Sequence, residues 1–217
     1  MKKDYYIIGS GGFAKEVYAL TLQALKASNQ FKGFIDIDPS KSIIKVGNSN
    51  LPVINQTDFL ETVSPSEKIE LYIGVGNPQI INKISKLFTI YNFPNLIHPN
   101  VIYDSNLVEL GIGNILTAGC ILPADISIGS FNIFNLSTTL AHDIVIGNCN
   151  VFNPGVNVSG AVIIGSSNLF GTNSTVLQTL AISDNNVIGA SALLTKNVKS
   201  NSTMVGIPAR NVNDVNQ

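Results

Sequence analysis

The sequence predicts an α/β domain with a parallel sheet, followed by an all-β parallel β-helix, and three observations lead to this fold class. An apolar residue recurs at every sixth position through the second half of the chain. Near the N-terminus, an apolar run ends in a glycine-rich turn before a helical pattern. A second apolar run is followed by an Asn-Pro pair that can begin a helix. We place the domains at residues 1–97 and 98–217.

The first domain begins with a strand, a turn and a helix. An apolar run over residues 5–8 is followed by GSGGFA, and then by apolar residues spaced on one helical face up to Leu25. The next apolar segment, Gly33-Phe34-Ile35, ends at Asp36. This order of strand, helix and strand predicts a parallel sheet, which makes the first domain an α/β unit.

The glycine turn predicts a phosphate site. Gly9, Gly11 and Ala14 satisfy the spacing G-x-G-x-x-G/A, in which glycines let backbone N–H groups approach a phosphate at a helix N-terminus. A tight turn that needs positive φ explains the same glycines. Fewer than 100 residues precede the repeat, which is enough for one mononucleotide-binding half and not for the paired halves that hold NAD. Asp36 can accept hydrogen bonds from a ribose or a base, or belong to a solvated turn.

A later apolar strand over residues 71–75 leads into a second turn and helix. In Gly76-Asn77-Pro78, Asn77 can cap a helix and Pro78 can occupy its first position. The helix is expected to cover residues 80–87. This second strand and helix also fit an α/β unit with a parallel sheet.

The six-residue repeat predicts the second domain. A helix repeats at 3.6 residues and a half-buried strand at 2.0, whereas a strict period of six places one inward side chain on each short segment of a coiling chain. With three segments to a coil, residue n stacks on n+18 at about 4.8 Å. The fourth position after the inward residue is compact in most repeats. The inward residues are Leu110, Leu116, Leu122, Ile128, Phe134, Leu140, Ile146, Phe152, Val158, Ile164, Phe170, Val176, Ile182, Ile188 and Leu194.

Composition argues against several classes of partner. A formal net charge of -1 with 12% charged residues does not suit a phosphate-backbone partner, so we expect no nucleic acid. No apolar run approaches the roughly 18 residues of a membrane span, and the first residues do not resemble a secretory signal, so we expect a cytoplasmic protein. Cys120 and Cys149 occupy different places in the repeat and are expected to be unpaired, inert thiols. Two histidines are too few for a three-histidine metal site.

His142 is the candidate catalytic residue of the repeat. It stands two places after Leu140 and so points outward, with Asp143 beside it. A carboxylate near a ring nitrogen would hold the tautomer and stabilise the imidazolium, as a general base requires. Its neighbours at n−18 and n+18 are Ala124 and Gly160, which we expect to leave an open slot beside the ring. An exposed histidine without a catalytic role is also compatible with these observations.

The motifs together resemble the hexapeptide-repeat sugar acyltransferases of the NeuD/PglD branch. The resemblance rests on LAHDIVIGNCNVFNPGVNVSGAVIIG, GTNSTVLQTLAISDNNVIGASALLTKNV and MVGIPAR, together with GSGGFAKE and GFIDIDP in the first domain. It extends over essentially the whole chain. The resemblance implies that the β-helix is left-handed, that the protein forms homotrimers with active sites between subunits, and that acetyl-CoA is the co-substrate with no metal.

The resemblance also implies roles for particular residues. His142 would be the catalytic base, with Asp143 as its carboxylate and Asn135 as a polar active-site residue. The implied acetyl-CoA site comprises Gly160, Thr172, Ala190, Lys196 and Arg210. The implied nucleotide site comprises Gly9, Gly11, Gly12, Phe13, Ala14, Lys15, Asp36, Gly74, Gly76 and Asn77. One feature departs from the branch: some relatives carry a second histidine where this chain has Val151.

The function that this resemblance implies is N-acetylation of the 4-amino group of a nucleotide-linked 4-amino-4,6-dideoxy sugar, for bacterial glycan or O-antigen synthesis. UDP is the favoured nucleotide, and dTDP and GDP stay open, as does the stereochemistry of the sugar. The alternatives are a sialic acid O-acetyltransferase and a non-catalytic β-helix scaffold. His98, in Ile97-His98-Pro99, is expected to be structural.

Overall fold

The computed structural model describes residues 2–212, so residue 1 and residues 213–217 of the predicted domains lie outside the described part. Within this range the first domain contains three helices and a five-stranded sheet. The helices are α1 (Gly12–Ala24), α2 (Gln56–Thr62) and α3 (Pro78–Leu87). The strands are β1 (Asp4–Ile8), β2 (Gln30–Asp36), β3 (Ile43–Val46), β4 (Ser49–Asn55) and β5 (Ile69–Ile73).

The sheet of the first domain has the order β3-β4-β2-β1-β5. Strands β4, β2, β1 and β5 are parallel, and β3 pairs with β4 as an antiparallel hairpin that the sequence did not predict. The chain leaves β1 for β2 on one side and returns to β5 on the other. A crevice therefore forms at the carboxyl ends of β1 and β5, where open α/β sheets bind their ligands.

The predicted start of α3 is confirmed. The Oδ1 atom of Asn77 accepts a hydrogen bond of 3.0 Å from the N–H of Ile80, and Pro78 is the first helical residue. Proline is favoured there because its missing N–H would have no partner inside the helix.

The second domain is a three-sided coil of short parallel strands. Its strands are β6 (Leu96–Ile97), β7 (Ile102–Tyr103), β8 (Val108–Leu110), β9 (Ile115–Leu116), β10 (Ile121–Leu122), β11 (Ile126–Ile128), β12 (Ile133–Phe134), β13 (Thr139–Leu140), β14 (Ile144–Ile146), β15 (Val151–Phe152), β16 (Asn157–Val158), β17 (Ile163–Ile164), β18 (Leu169–Phe170), β19 (Thr175–Val176), β20 (Ala181–Ile182), β21 (Val187–Ile188), β22 (Leu193–Leu194), β23 (Thr203–Gly206) and β24 (Ala209–Asn211). Face 1 consists of β6, β9, β12, β15, β18, β21, β23 and β24. Face 2 consists of β7, β10, β13, β16, β19 and β22. Face 3 consists of β8, β11, β14, β17 and β20. We name each corner by the two faces it joins.

The predicted 18-residue register is confirmed along the core. Phe134 pairs with Phe152, and Phe152 with Phe170, on adjacent strands of face 1. Their rings stack with centroids 4.7 and 4.6 Å apart, which is close to the spacing of neighbouring strands. The compact positions point inward as predicted, because Cys120, Val156 and their equivalents are fully buried. The period of the sequence thus sets both the coil and its core.

A column of buried asparagines lines corner 3–1. Asn150 donates hydrogen bonds from its backbone N–H and its Nδ2 to Oδ1 of Asn132, which is 18 residues earlier. Asn168 donates in the same way to Oδ1 of Asn150. The Nδ2 atoms also donate to backbone carbonyls of the next coil, as from Asn150 to Gly165 at 2.9 Å. These side chains satisfy polar groups that the tight corner would otherwise bury without partners.

From Asp125 to Ser191, each corner also contains a residue in the left-handed conformation. These residues recur at six-residue intervals from Asp125 to Ser191, with Gly155 in the series, and even Phe131 and Thr179 adopt φ of 61° and 64°. Bulky and β-branched residues rarely adopt such angles. The parallel pairing of each coil with its neighbours imposes the conformation whatever the side chain.

The first domain covers the outer surface of face 1. Ile115, Ile133 and Val151 are buried there in one cluster with the core of the α/β domain. Phe93 contacts Phe131 edge to face at 5.2 Å. His98, expected to be structural, lies at the same junction: its Nε2 is 2.9 Å from Oε1 of Gln23 on α1, and its Nδ1 accepts from the N–H of Asn100.

The predicted fold class is confirmed, because an α/β domain precedes a parallel β-helix. The boundary after residue 97 stays a prediction, and β6 (Leu96–Ile97) already pairs with β9 on face 1. Among residues 2–212, no helix combines the length and apolar character needed to cross a membrane.

Candidate functional site

His142 and Asp143 form a hydrogen-bonded pair at corner 2–3. The Nδ1 atom of His142 lies 2.6 Å from Oδ2 of Asp143, and the side chains are 67% and 63% exposed. Asp143 occupies the left-handed position of its corner with φ of 57°, and this turn brings the two consecutive side chains together. In a neutral ring, the bond requires the proton on Nδ1, so Nε2 carries the lone pair. A base with its second nitrogen held by a carboxylate is thus present.

Gly160 supports the ring from the next coil. A Cβ atom at this position would lie 2.8 Å from Cε1 and 2.9 Å from Nε2 of His142. The sequence predicted an open slot beside the ring, and this prediction was wrong, because the imidazole itself occupies the space above Gly160. The missing side chain therefore lets the ring pack against the backbone of the next coil.

Asn135 lies at corner 1–2 and not beside His142. Its side chain is buried, and its Nδ2 is 3.4 Å from Oδ1 of Asn153 in the next coil. The strand β13 (Thr139–Leu140) separates this corner from the one that carries His142. Thr172 and Ala190 are exposed at corner 1–2 as well, stacked through the N–H of Ser191, which donates to the carbonyl of Thr172. One chain therefore distributes the predicted residues over two corners.

Lys196 and Arg210 meet at the end of the coil. Both line a cavity of about 480 Å³, where Arg210 arrives on β24 and Lys199 adds a third cation that the sequence reasoning missed. Lys196 follows His142 by three coils in the same column, which corresponds to about 14 Å at the spacing of parallel strands. Lys196 therefore shares corner 2–3 with His142, whereas Arg210 reaches the cavity from β24 on face 1.

The crevice of the first domain is a cavity of about 660 Å³ at the carboxyl ends of β1, β2 and β5. It contains seven of the predicted residues, Gly9, Gly11, Gly12, Phe13, Asp36, Gly74 and Gly76. It also contains Ser10, Gln56 and Lys83, which were not predicted. Apolar residues of α3, namely Ile80, Ile84 and Leu87, form one wall.

The glycines of this cavity divide into two kinds. A Cβ atom on Gly11, Gly12 or Gly76 would meet no atom within 4 Å, so these residues border open space. Gly11 is the N-cap of α1 and supplies no side-chain hydrogen bond, which leaves the first N–H groups of the helix available for an anion. On Gly74, by contrast, a Cβ would lie 2.7 Å from Cα of Ala14, so this glycine permits close packing of α1 on β5.

Three predicted residues do not line the cavity. Ala14 is fully buried between α1 and the sheet, Asn77 caps α3, and Lys15 is exposed on α1. The structure gives the first two a role in packing and capping. Their contact with a ligand stays a prediction.

Asp36 is held by its neighbours at the edge of the cavity. Ser10 donates a short hydrogen bond to Oδ2, Lys41 donates to the same atom at 3.3 Å, and the N–H of Asp38 donates to Oδ1 at 3.0 Å. Partial burial acts to raise the pKa of Asp36, but these hydrogen bonds outweigh it and hold the pKa below its ordinary value. The carboxylate is therefore ionised at neutral pH.

Val151 stands where some relatives have a second histidine, and it cannot take part in the chemistry of His142. It is 1% exposed on face 1, where it packs against the first domain. Among the described residues, no group of three or more His, Cys, Asp or Glu side chains is arranged to hold a metal ion.

Comparison with known proteins finds a family model that is similar to most of the first domain. Residues 4–88 match the family described as the PglD N-terminal domain. The predicted resemblance to the NeuD/PglD branch is thereby confirmed, and solved structures extend the likeness to the whole chain.

Three solved structures are similar over nearly their full length. The acetyltransferase domain of PglB from Neisseria gonorrhoeae, in complex with acetyl coenzyme A, has a TM-score of 0.85 and 25% identity and covers 98% of this chain and 100% of its own. WeeI from Acinetobacter baumannii has a TM-score of 0.74 and 28% identity with the same coverage. PerB from Caulobacter crescentus, in complex with CoA and GDP-perosamine, has a TM-score of 0.83 and 22% identity, covers 96% of each chain, and shows similarity of fold. Comparison with curated proteins gives no significant match.

Proposed function

We propose that the protein transfers acetyl from acetyl-CoA to the 4-amino group of a nucleotide-linked 4-amino-4,6-dideoxy sugar. The favoured nucleotide is UDP, and the reaction serves bacterial glycan or O-antigen synthesis in the cytoplasm. The observation that supports the proposal is the His142–Asp143 pair, which is exposed on a coil attached to a domain with a glycine-lined crevice. Relatives of the same fold that bind acetyl coenzyme A, or CoA with an amino-sugar nucleotide, support it.

The reaction proceeds by direct attack. The sugar nitrogen forms a bond to the thioester carbonyl carbon, Nε2 of His142 takes the proton from the amine, and the C–S bond breaks to release CoA as a thiolate. Asp143 stabilises the imidazolium that forms. A covalent acyl-enzyme is unnecessary because a thiol with a pKa near 8.5 leaves readily.

A backbone N–H near Gly160 stabilises the tetrahedral oxyanion in this mechanism. The N–H of Ala161 does not serve, because it already donates to the carbonyl of His142 at 2.9 Å. In this proposal the N–H of Gly160 itself is the remaining donor, next to the His142 ring that packs against this residue.

Acetyl-CoA lies along the coil in our proposal, with its thioester at His142 and its phosphates at the basic end. The three coils between His142 and Lys196, about 14 Å, suit an extended pantetheine arm. Lys196, Lys199 and Arg210 then contact the phosphates, because all three line one cavity.

The site is completed by a second subunit. Asn135, Thr172 and Ala190 lie at corner 1–2, and His142 lies at corner 2–3, so they meet only when corner 1–2 of one protomer approaches corner 2–3 of its partner. A homotrimer of three-sided coils makes this contact three times by rotation. We propose this assembly as the active form.

The nucleotide of the sugar occupies the crevice of the first domain. The uncapped N-terminus of α1, with Gly11 and Gly12 bordering open space, holds the diphosphate. Asp36 and Gln56 border the same cavity and contact the nucleoside. The amino sugar then extends toward His142.

The test is an acetyl-transfer assay with acetyl-CoA and UDP-, dTDP- and GDP-linked 4-amino-4,6-dideoxy sugars, following CoA release and the mass of the acetylated sugar. His142→Ala should lower kcat by about 10² to 10⁴ while CoA still binds. His98→Ala, which alters the other histidine, is the matched control and should keep its turnover. Acetylation of free sialic acid in place of the amino sugars would contradict the proposal, as would near-normal turnover by His142→Ala. A complete absence of acetyl-CoA binding would favour the alternative function, a non-catalytic β-helix scaffold.

A further inference from the structure

Asp36 offers a ligand a single hydrogen-bond acceptor position. An ionised carboxylate has about four such positions, two on each oxygen. On Oδ2 both are used, by Ser10 and by Lys41, and on Oδ1 one is used by the N–H of Asp38. The side chain is 12% exposed, so little of it faces the cavity. One position on Oδ1 therefore remains.

This arrangement does not change with pH in the range of ordinary assays. The pKa of Asp36 lies below its ordinary value, so the carboxylate stays ionised and cannot donate a proton to a ligand. Lys41 also bonds Ser10 at 3.2 Å, which ties the three side chains into one network. The network presents one acceptor next to a cationic donor.

The nucleobases differ in what they require of such a carboxylate. Guanine presents two adjacent donors, N1–H and the N2 amino group, which match two acceptors on a carboxylate. Uracil and thymine present one donor, N3–H, between two carbonyl acceptors. A single acceptor beside the Lys41 ammonium matches the pyrimidine edge and leaves one guanine donor buried without a partner, which is unfavourable.

From this geometry we infer that Lys41 and Ser10 determine base specificity by closing Oδ2 of Asp36, so that the site accepts a uridine or thymidine nucleotide and rejects guanosine. The inference rests on the proposed function, because it assumes that the crevice binds the nucleotide of the sugar. The fold alone does not decide the base, since PerB shares this fold and was crystallised with GDP-perosamine. The choice therefore depends on side chains around Asp36.

The test is calorimetric titration of UDP and GDP into the full-length protein without acetyl-CoA. The wild type should bind UDP about 10- to 100-fold more tightly than GDP, the cost of one buried unpaired donor. Lys41→Ala should reduce this ratio by about 10-fold, because a position on Oδ2 becomes free. The quantity to compare is the ratio of the affinities for UDP and GDP, because the loss of a positive charge weakens the binding of both nucleotides together.

Two further variants separate the network from charge and folding effects. Ser10→Ala frees Oδ2 without changing charge and should reduce the ratio in the same direction, with thermal melting to verify folding. Lys41→Arg keeps a cationic donor and should keep the preference. GDP binding as tight as UDP in the wild type, or an unchanged ratio in both Lys41→Ala and Ser10→Ala, would overturn the inference. The titration measures binding and not acetyl transfer. A failure of the proposed enzymatic function would therefore be seen separately, as UDP selectivity in the titration without turnover in the acetyl-transfer assay.

Discussion

Replacing Gly160 by alanine tests whether this glycine positions the catalytic ring. The new Cβ would lie 2.8, 2.9 and 3.2 Å from three ring atoms of His142, and the shortest of these is about 0.6 Å inside ordinary contact at 3.4 Å. The backbone of Gly160 is outside the left-handed region, so alanine adds no backbone strain. Ala124, one coil before His142 and two coils before Gly160 in the same column, already carries a Cβ. The ring must therefore move while the coil stays intact.

The expected effect is a decrease in kcat of about 10- to 100-fold, because a displacement approaching 1 Å at a reacting group costs up to about 10² in rate. This corresponds to about 1.4 to 2.7 kcal/mol of transition-state stabilisation. Steady-state acetyl transfer gives kcat and KM, and thermal melting should show a folded protein. The affinity for UDP should not change, because the nucleotide crevice is in the other domain.

A double-mutant cycle makes this prediction specific to the ring. If Gly160→Ala acts through His142, it should have almost no further effect on the residual activity of His142→Ala. An equal effect in both backgrounds would show that Gly160 contributes by another route, such as binding of the acetyl group. A kcat near the wild-type value in the single variant would refute the steric reasoning altogether.

Four other outcomes are expected. Gly12→Val should fold normally, since a Cβ there meets no atom, but weaken UDP binding at least about 10-fold by titration, because it fills the phosphate position. Asn150→Ala should lower the free energy of unfolding in urea by about 3 to 5 kcal/mol, since it leaves buried partners unpaired in the ladder, and a loss below about 1 kcal/mol would contradict this. The pKa of Asp36 in the folded protein lies below its ordinary value of 3.8. The ionised carboxylate therefore stabilises the fold above pH 3.8, and this stabilisation is lost as the pH falls through the folded pKa. Asp36→Asn should lower Tm more at pH 7 than at pH 3. Burial raises the pKa of Cys120 to about 11 and raises that of Cys149, so neither thiol should react with a disulfide reagent at pH 8 before unfolding.

His142 shows how far sequence reasoning reached at the site. The repeat places His142 two residues after an inward Leu140, so its outward direction and its adjacency to Asp143 follow from the spacing. The contact between its ring and Gly160 also follows the 18-residue register, but the sequence reasoning treated that position as empty. The error arose because a missing side chain can leave a space or receive a neighbouring ring, and only packing decides between them.

The nucleotide crevice shows a different limit. Glycine spacing predicted the turn after β1, and Asp36 was recognised as the residue that ends β2. Ser10 and Lys41 were not recognised as partners of Asp36. Ser10 is 26 residues before it, and Lys41 is five residues after it in the loop between β2 and β3, where no pattern predicted a contact. Lys83 and Lys199 were missed for the same reason, since a single lysine has no signature until the fold places it beside a cavity.

The periodic spacing of apolar residues was sufficient to establish the β-helix, its register and its core, because each coil repeats the same covalent distance and neighbours are always 18 residues apart. The glycine turn and the capped helix were likewise sufficient for the α/β domain, since their chemistry is local. Only the tertiary structure revealed the hydrogen-bonded asparagine ladder, the burial of Val151 beneath the first domain, and the saturation of Asp36. Each of these depends on which atoms of distant segments come within hydrogen-bonding or van der Waals range, a quantity that the order of residues along the chain does not contain.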